Sequence, residues 1–208
     1  MAVVAIVVVA GVWRFGRTAA FHFLPLAWTG EADRLAAVLQ IRPGMTVADI
    51  GAGTGRMAFE LARRIGPDGR MLATELDPGK RETLARRARE QGLAHVEAVA
   101  AEARDTGLPA ACCDAAYMRN VLHHIDDHPG YARALARAMK PGGLFVVLDF
   151  APGAMGYLAS DHGVSPEAVR AAFTAAGFQP VDHVPDWGGR MYLLAFRHEG
   201  PLKGDEGR

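Results

Sequence analysis

The sequence predicts an α/β fold in three layers, with a mostly parallel, seven-stranded sheet between helices and its last strand antiparallel. Three observations lead there. Short apolar strands and amphipathic helices alternate from about Gly30 to Arg197, the first strand "TVADI" breaks directly into "GAGTG", and two closing strands are separated by the turn-like "DWGG". Alternation of this kind implies right-handed crossovers and a parallel sheet covered on both faces. A short link between the last two strands pairs them antiparallel.

The elements follow in chain order. Residues 1–29 form an apolar N-terminal segment, in which "MAVVAIVVVAGVW" carries no charged side chain and is followed by Arg14 and Arg17. As a helix this run reaches roughly 20 Å, short of the ~30 Å hydrocarbon core of a bilayer. A cleaved signal peptide has its positive charge before the apolar run, whereas arginines after it favour keeping the rest of the chain in the cytoplasm. "FHFLPLAWTG" adds side chains that settle at a membrane interface or close over an apolar pocket. Three readings stay open for the segment: a piece packed on the domain, a lid or membrane contact, or a removed signal.

Residues 30–198 form the main domain. "EADRLAAVLQI" sets Ala32, Leu35, Ala36, Val38 and Leu39 at helical spacing, and "RPG" ends the helix. "TVADI" is a strand, "RMAFELARRI" a helix, "GRMLATE" a strand and "GKRETLARRAREQG" a helix stopped by Gly92. "HVEAVA" and "CDAAYMRNV" are strands, "YARALARAMK" is a helix and "LFVVLDF" a strand. "SPEAVRAAFTAAGF" opens with Ser-Pro, carries Glu167 in its first turn and ends at Gly177, which marks another helix. "QPVDHV" and "RMYLLAFR" close the sheet, and the polar residues 199–208 are a tail.

Charge and cysteine content narrow the function. Lys plus Arg and Asp plus Glu each number 23, so the chain offers no global attraction to a phosphate backbone and nucleic acid is not expected as a partner. The two cysteines, Cys112 and Cys113, are adjacent and build no disulfide framework.

The glycine loop asks which ligand it holds. A dinucleotide fingerprint needs G-x-G-x-x-G or G-x-G-x-x-A, but counting from Gly51 its last position is Arg56. Asp49 stands two residues before the first glycine, where a doubly negative pyrophosphate is unfavourable and an ammonium group is welcome. Gly51, Ala52, Gly53 and Gly55 thus suit a zwitterionic or cationic nucleoside, with a structural cap for the turn as a second role for Asp49. Glu75 lies one crossover past Gly55 and returns to the same sheet edge, where a carboxylate accepts two hydrogen bonds from a vicinal diol. Asp77 is its competitor, in a turn leading to the next helix.

At these residues the chain resembles the class I S-adenosylmethionine-dependent methyltransferases, and within them the small-molecule and quinone or lipid enzymes of type 11. "VADIGAGTGRM" looks like the family's first motif, "MLATELDP" its second strand, and "AEARDTGLP" its G-D-A-x-x-L-P segment. "CDAAYMRNVLHHI" and "MKPGGLFVVLDF" are similar to the next two segments. The resemblance implies a Rossmann-like sandwich and S-adenosylmethionine as cofactor. It implies that Glu75 takes the ribose hydroxyls, Glu102 lies near the adenine amino group, and Asn120 meets the methionine portion, with Leu76 and Ala103 also among the cofactor-binding residues. Glu102 departs from the usual Asp, and a solvated loop carboxylate is its other reading. "RNVL" stands where methyltransferases of nucleic-acid amino groups carry D/N-P-P-Y/F, which again argues against nucleic acid.

A sulfonium methyl is already activated, so alignment dominates and a base helps only where the acceptor carries a proton. His123 and His124 follow a strand end in "NVLHHIDDH", and His162 stands in "SDHGVSP", making His123 and His162 the candidate catalytic residues. Packing and capping of the turn is the other role for the paired histidines. Scattered His and Asp here lack the i, i+4 spacing of a helix-borne zinc site, so no metal is expected.

The sequence therefore predicts a cytoplasmic methyltransferase acting on a small, apolar acceptor such as a lipid or quinone, with the N-terminus as its lid or membrane contact. A nicotinamide oxidoreductase is the second reading, opposed by Arg56 and Asp49. A noncatalytic cofactor-binding protein is the third. Oligomeric state leaves no signature in the sequence.

Overall fold

The computed structural model describes residues 25–153, 163–182, 187 and 191–200. Helix α1 spans Pro25–Val38, and then strands and helices alternate: β1 Thr46–Ile50, α2 Arg56–Ile65, β2 Arg70–Glu75, α3 Pro78–Glu90 and β3 Val96–Ala100. Strand β4 is Cys113–Arg119, followed by a 3-10 turn at Leu122–His124, α4 His128–Ala138 and β5 Met139–Phe150. Helix α5 Pro166–Ala175 leads to β6 Phe178–Pro180 and β7 Met191–His198.

The seven strands lie in the order β3-β2-β1-β4-β5-β7-β6. β1 to β5 are mutually parallel, and β7 runs antiparallel to both β5 and β6. The predicted fold class therefore holds. The central strands are buried on both faces, as covered parallel sheets require. On one face Val47, Met71, Ala115, Tyr117 and Val146 pack with α1, α2 and α3. On the other, Ile50, Ala116, Met118 and Val147 pack with α4 and α5. There Phe145, Phe173, Phe178 and Phe196 form a cluster, with the Phe145 and Phe173 centroids 4.9 Å apart.

Helix starts follow local chemistry. Asp77 and Ser165 occupy the N-cap positions of α3 and α5 and accept the amides of Lys80 and Ala168, each with proline in the first turn. Asp127 does the same for α4 through the Gly130 amide.

Three boundaries differ from the sequence pattern. α1 starts at Pro25 rather than after Gly30, because proline opens a helix well and Gly30 meets no neighbour that would stop it. α4 ends at Ala138, since Met139 already pairs with Cys113 and Pro141 cannot continue a helix. β6 begins at Phe178, whose ring enters the aromatic cluster directly after Gly177. Apart from Trp187, the "DWGG" link lies outside the described residues, as do residues 1–24 of the N-terminal segment and the tail from 201.

This topology positions a site. β1 has β2 on one side and β4 on the other, and the chain's strand order reverses between them. In open α/β sheets ligands lie beyond the carboxyl ends of the strands at such a switch point. Asp49, Glu75, Asn120 and Asp149 all stand at that edge.

Candidate functional site

The glycine loop and β2 are joined by hydrogen bonds. Ala52 N–H donates to Thr74 O at 2.8 Å. Gly53 N–H donates to Glu75 Oε2 at 2.8 Å, and Asp77 N–H to Glu75 Oε1 at 2.9 Å. Glu75 is buried, yet each carboxylate oxygen has one backbone donor and keeps acceptor capacity. Asp77, by contrast, is engaged as the α3 cap, and the Lys80 amide holds its carboxyl below the usual range. Glu75 is thus the acid that faces the loop.

Two glycines shape that loop for steric reasons. Gly51 has φ +72°, and a Cβ there would lie 2.5 Å from Val121 Cγ2. Gly55 caps α2 at φ +88°, where a Cβ would lie 2.5 Å from Phe59 Cζ. Side chains are disfavoured at such φ, and a Cβ at either position would in addition force Val121 or Phe59 to shift.

Asp49 is buried on β1, in register with Ala73 on β2 and Tyr117 on β4. Burial pushes its carboxyl up to about 7, and the Glu75 charge adds to the rise. Tyr117, Arg119 and the Ala58 amide at the start of α2 act in the opposite direction. The Tyr117 hydroxyl is itself buried and makes no hydrogen bond of normal geometry among the described residues. A cation placed here would bring Asp49 to its charged form. The turn-capping role is compatible with this, because the Ala58 amide already acts on the carboxyl.

Arg119 ends β4 and makes a two-pronged pair with Glu31 of α1, at 2.5 and 3.1 Å. Asn120 follows at φ +57°, donates its N–H to Leu148 O at 2.9 Å, and buries Oδ1 without a hydrogen-bond partner among the described residues. A buried amide oxygen in this position is open to a donor from water or a ligand.

His123 lies on the 3-10 turn, with Nδ1 2.6 Å from Asp149 Oδ1 at the end of β5. Asp149 is fully buried and also accepts the amides of His123 and Phe150, at 3.3 and 2.7 Å. A carboxylate accepts, so the imidazole donates through Nδ1, and in the neutral ring Nε2 is then the acceptor nitrogen. Tyr192 pairs with Asp149 across β5 and β7, and its buried hydroxyl has no hydrogen-bond partner among the described residues. Burial and the Asp149 charge push that phenol upward. His124 stacks obliquely on His123, with ring centroids 4.0 Å apart. His128 contacts Leu122 O and Asp127 caps α4, so both have structural partners.

The edge beyond β3 is more open. Glu102 and Ala103 are exposed, with Glu102 paired through the backbone to Asp105. Leu76 is 59% exposed beside Glu75, leaving an apolar side chain at the loop. His162 lies outside the described residues. The structure thus brings Asp49, the glycine loop, Glu75, Leu76, Asn120 and His123 to one edge, with Glu102 and Ala103 at its open flank. Sequence reasoning missed Asp149, the Glu31–Arg119 pair and Tyr117. Asp149 had one legible signal, an acid at the end of an otherwise apolar strand.

Residues 48–147 match a family model described as "Methyltransferase domain". A 2-phytyl-1,4-naphtoquinone methyltransferase of Trichormus variabilis is 30% identical over 61% of this chain and 52% of its own length. Nocamycin O-methyltransferase of Saccharothrix syringae is 32% identical over 54% of this chain and 40% of its own. A ubiquinone/menaquinone biosynthesis C-methyltransferase of Idiomarina loihiensis is 27% identical over 53% and 44%. The chain spans about half the length of the curated relatives it matches. Among solved structures, a SAM dependent methyltransferase from Aquifex aeolicus superposes with TM-score 0.68 at 21% identity, covering 80% of this chain and 88% of that one. The [4+2]-cyclase SpnF superposes with TM-score 0.72 at 19% identity, covering 83% and 81%. These two likenesses concern the fold.

Proposed function

We propose, from the match of residues 48–147 to a methyltransferase domain, that the chain transfers the methyl group of S-adenosylmethionine to a small, apolar acceptor by in-line displacement. The observation that carries the proposal is the Gly53–Glu75 couple with Asp49 behind it. One carboxylate is fixed by backbone amides so that it can meet a diol, and a second is buried where a cation completes it. A pyrophosphate would need the opposite charge.

The residues present fit the nucleoside. Glu75 accepts the vicinal ribose hydroxyls on the capacity its two amide donors leave. Gly51, Ala52, Gly53 and Gly55 let the loop backbone approach closely. Asp49 faces the ammonium end, and Asn120 Oδ1 takes a donor from the methionine portion. Leu76 and Ala103 border the base, and Glu102 accepts from its amino group.

When bound, S-adenosylmethionine supplies an activated methyl group. The chain aligns the acceptor and excludes water, which can lower the barrier by about 7–11 kcal/mol. Where the acceptor carries a proton, His123 takes it on Nε2 while Asp149 holds the ring through Nδ1. His162 is the second candidate base. The relatives named for naphthoquinone, ubiquinone and nocamycin support a small-molecule acceptor, a quinone included.

The N-terminal segment serves as lid or membrane contact, with the domain on the cytoplasmic side. Among the described residues no helix is long and apolar enough to cross a membrane. In a liposome flotation assay the full chain floats and a chain lacking residues 1–24 does not. Equal partitioning of the two would remove the membrane contact. For the cofactor, calorimetric titration with S-adenosylhomocysteine gives saturable binding, and binding of NADH in its place would overturn the proposal.

A further inference from the structure

Cys112 and Cys113 stand at the amino end of β4, whereas the candidate site lies beyond its carboxyl end, roughly 20 Å away along the strand. Their Sγ atoms are 3.0 Å apart. That is unusual for sequence neighbours, because successive side chains of a strand point to opposite faces. Two local breaks bring the sulfurs together. Ala111 adopts φ +46° just before the pair, and the β4–β5 register shifts between Cys113 and Ala115. The two thiols also differ in access, Cys112 being partly exposed and Cys113 buried.

Their chemistry differs in the same sense. The hydrogen bond from Cys113, with Arg70 and Lys140 nearby, brings the Cys112 thiol down to about 7. The hydrogen bond to Cys112, then burial and the Cys112 charge, push Cys113 upward. The exposed sulfur is thus the nucleophile and the buried one holds the proton.

We propose that Cys112 and Cys113 form a redox modification site, a vicinal dithiol that a small hydroperoxide oxidises to an intrachain disulfide. The Cys112 thiol gives its proton to water, its thiolate attacks the terminal peroxide oxygen, the O–O bond breaks, and the departing alkoxide or hydroxide takes up that proton. Cys112 is then a sulfenic acid. Cys113 Sγ attacks that sulfur, the S–OH bond breaks, and the leaving hydroxide takes the Cys113 proton to become water. Overall two thiols and one hydroperoxide give one disulfide, one alcohol or water, and one water. The sulfurs must close from 3.0 Å to a bond of about 2.05 Å. Adjacent Cα atoms lie about 3.8 Å apart, under the usual disulfide span of roughly 4.4–6.8 Å, so the bond is strained and readily reduced. Closing it disturbs the Cys112 N–H bond to Ala138 O, at 2.9 Å, at the junction of α4 and β5.

The test exposes the reduced full chain to stoichiometric hydrogen peroxide and reads intact mass, peptide map and thiol alkylation. The expected result is loss of two hydrogens per chain, protection of both cysteines from iodoacetamide, no intermolecular crosslink, and full reversal by dithiothreitol. Closure should be on the order of tenfold faster at neutral pH in the folded chain than in urea, following the larger thiolate fraction of a thiol titrating near 7. In a Cys113→Ala variant the sulfenic acid at Cys112 should persist and be trapped by dimedone. Full alkylation of both thiols after peroxide, crosslinked dimers as the only disulfide product, or no gain in rate over the unfolded chain would each overturn the proposal.

Discussion

Asp49 ties the protonation state of the site to its ligand. Its carboxyl is raised from 3.8 to about 7, chiefly by burial. Between those values the folded chain holds a proton that the unfolded chain has lost. Its contribution to stability is therefore full below about pH 4 and is lost as pH rises through about 7. A ligand ammonium reverses the preference, because it favours the ionised carboxylate. Affinity for S-adenosylhomocysteine should accordingly rise between about pH 6 and pH 8, and Asp49→Asn should flatten that profile in calorimetric titrations. Glu75→Gln removes charge-assisted acceptance and should weaken the same ligand by about 10- to 100-fold, with the circular dichroism spectrum unchanged. His123→Gln and Asp149→Asn should lower turnover of a protic acceptor by about 100-fold or more while leaving S-adenosylhomocysteine affinity intact. If His123→Gln and His162→Gln both turn over normally, neither histidine is the base.

At the scale of elements, α1 is fastened to its surroundings at several points, one of them at the site's edge. Glu31 pairs with Arg119 at the end of β4, Asp33 with Arg64 of α2, and Arg34 lies over the Trp187 ring, 4.2 Å from its centroid. The Glu31 and Arg119 side chains are only 18% and 13% exposed, so the pair is well shielded from solvent. Glu31→Ala should cost about 1–3 kcal/mol in urea unfolding, between the values for surface and buried pairs, and should loosen α1 from the strand edge. Elements with local signals were legible in the sequence. The α5 start at Ser165–Pro166, the glycine loop after β1 and the acid ending β2 each depend on a few neighbouring residues. The partners that complete the site were not. Asp149 meets His123 across 26 residues and Glu31 meets Arg119 across 88, and nothing in either local stretch specifies such a pairing. The β6 boundary shifted for the same reason, because Phe178 follows an aromatic cluster assembled from α5, β5 and β7.

The whole molecule is a sheet between two cores, and the core between the sheet, α4 and α5 depends on the four clustered phenylalanines. Phe173 is fully buried among them, and Phe173→Ala should cost about 3–5 kcal/mol in thermal or urea unfolding. That core supports the strands whose carboxyl ends carry the site, but it does not specify chemistry. A similar fold belongs both to a protein described as a SAM dependent methyltransferase and to one described as a cyclase. The functional account therefore stands on Asp49, the glycine loop and Glu75 at the switch point rather than on the architecture. Calorimetric titration of the full chain with S-adenosylhomocysteine, with NADH and NADPH in parallel, tests it most directly. The account predicts saturable binding of S-adenosylhomocysteine alone, lost in folded Asp49→Ala and Glu75→Ala variants. Binding of a nicotinamide nucleotide, or no S-adenosylhomocysteine binding by a demonstrably folded chain, would contradict it.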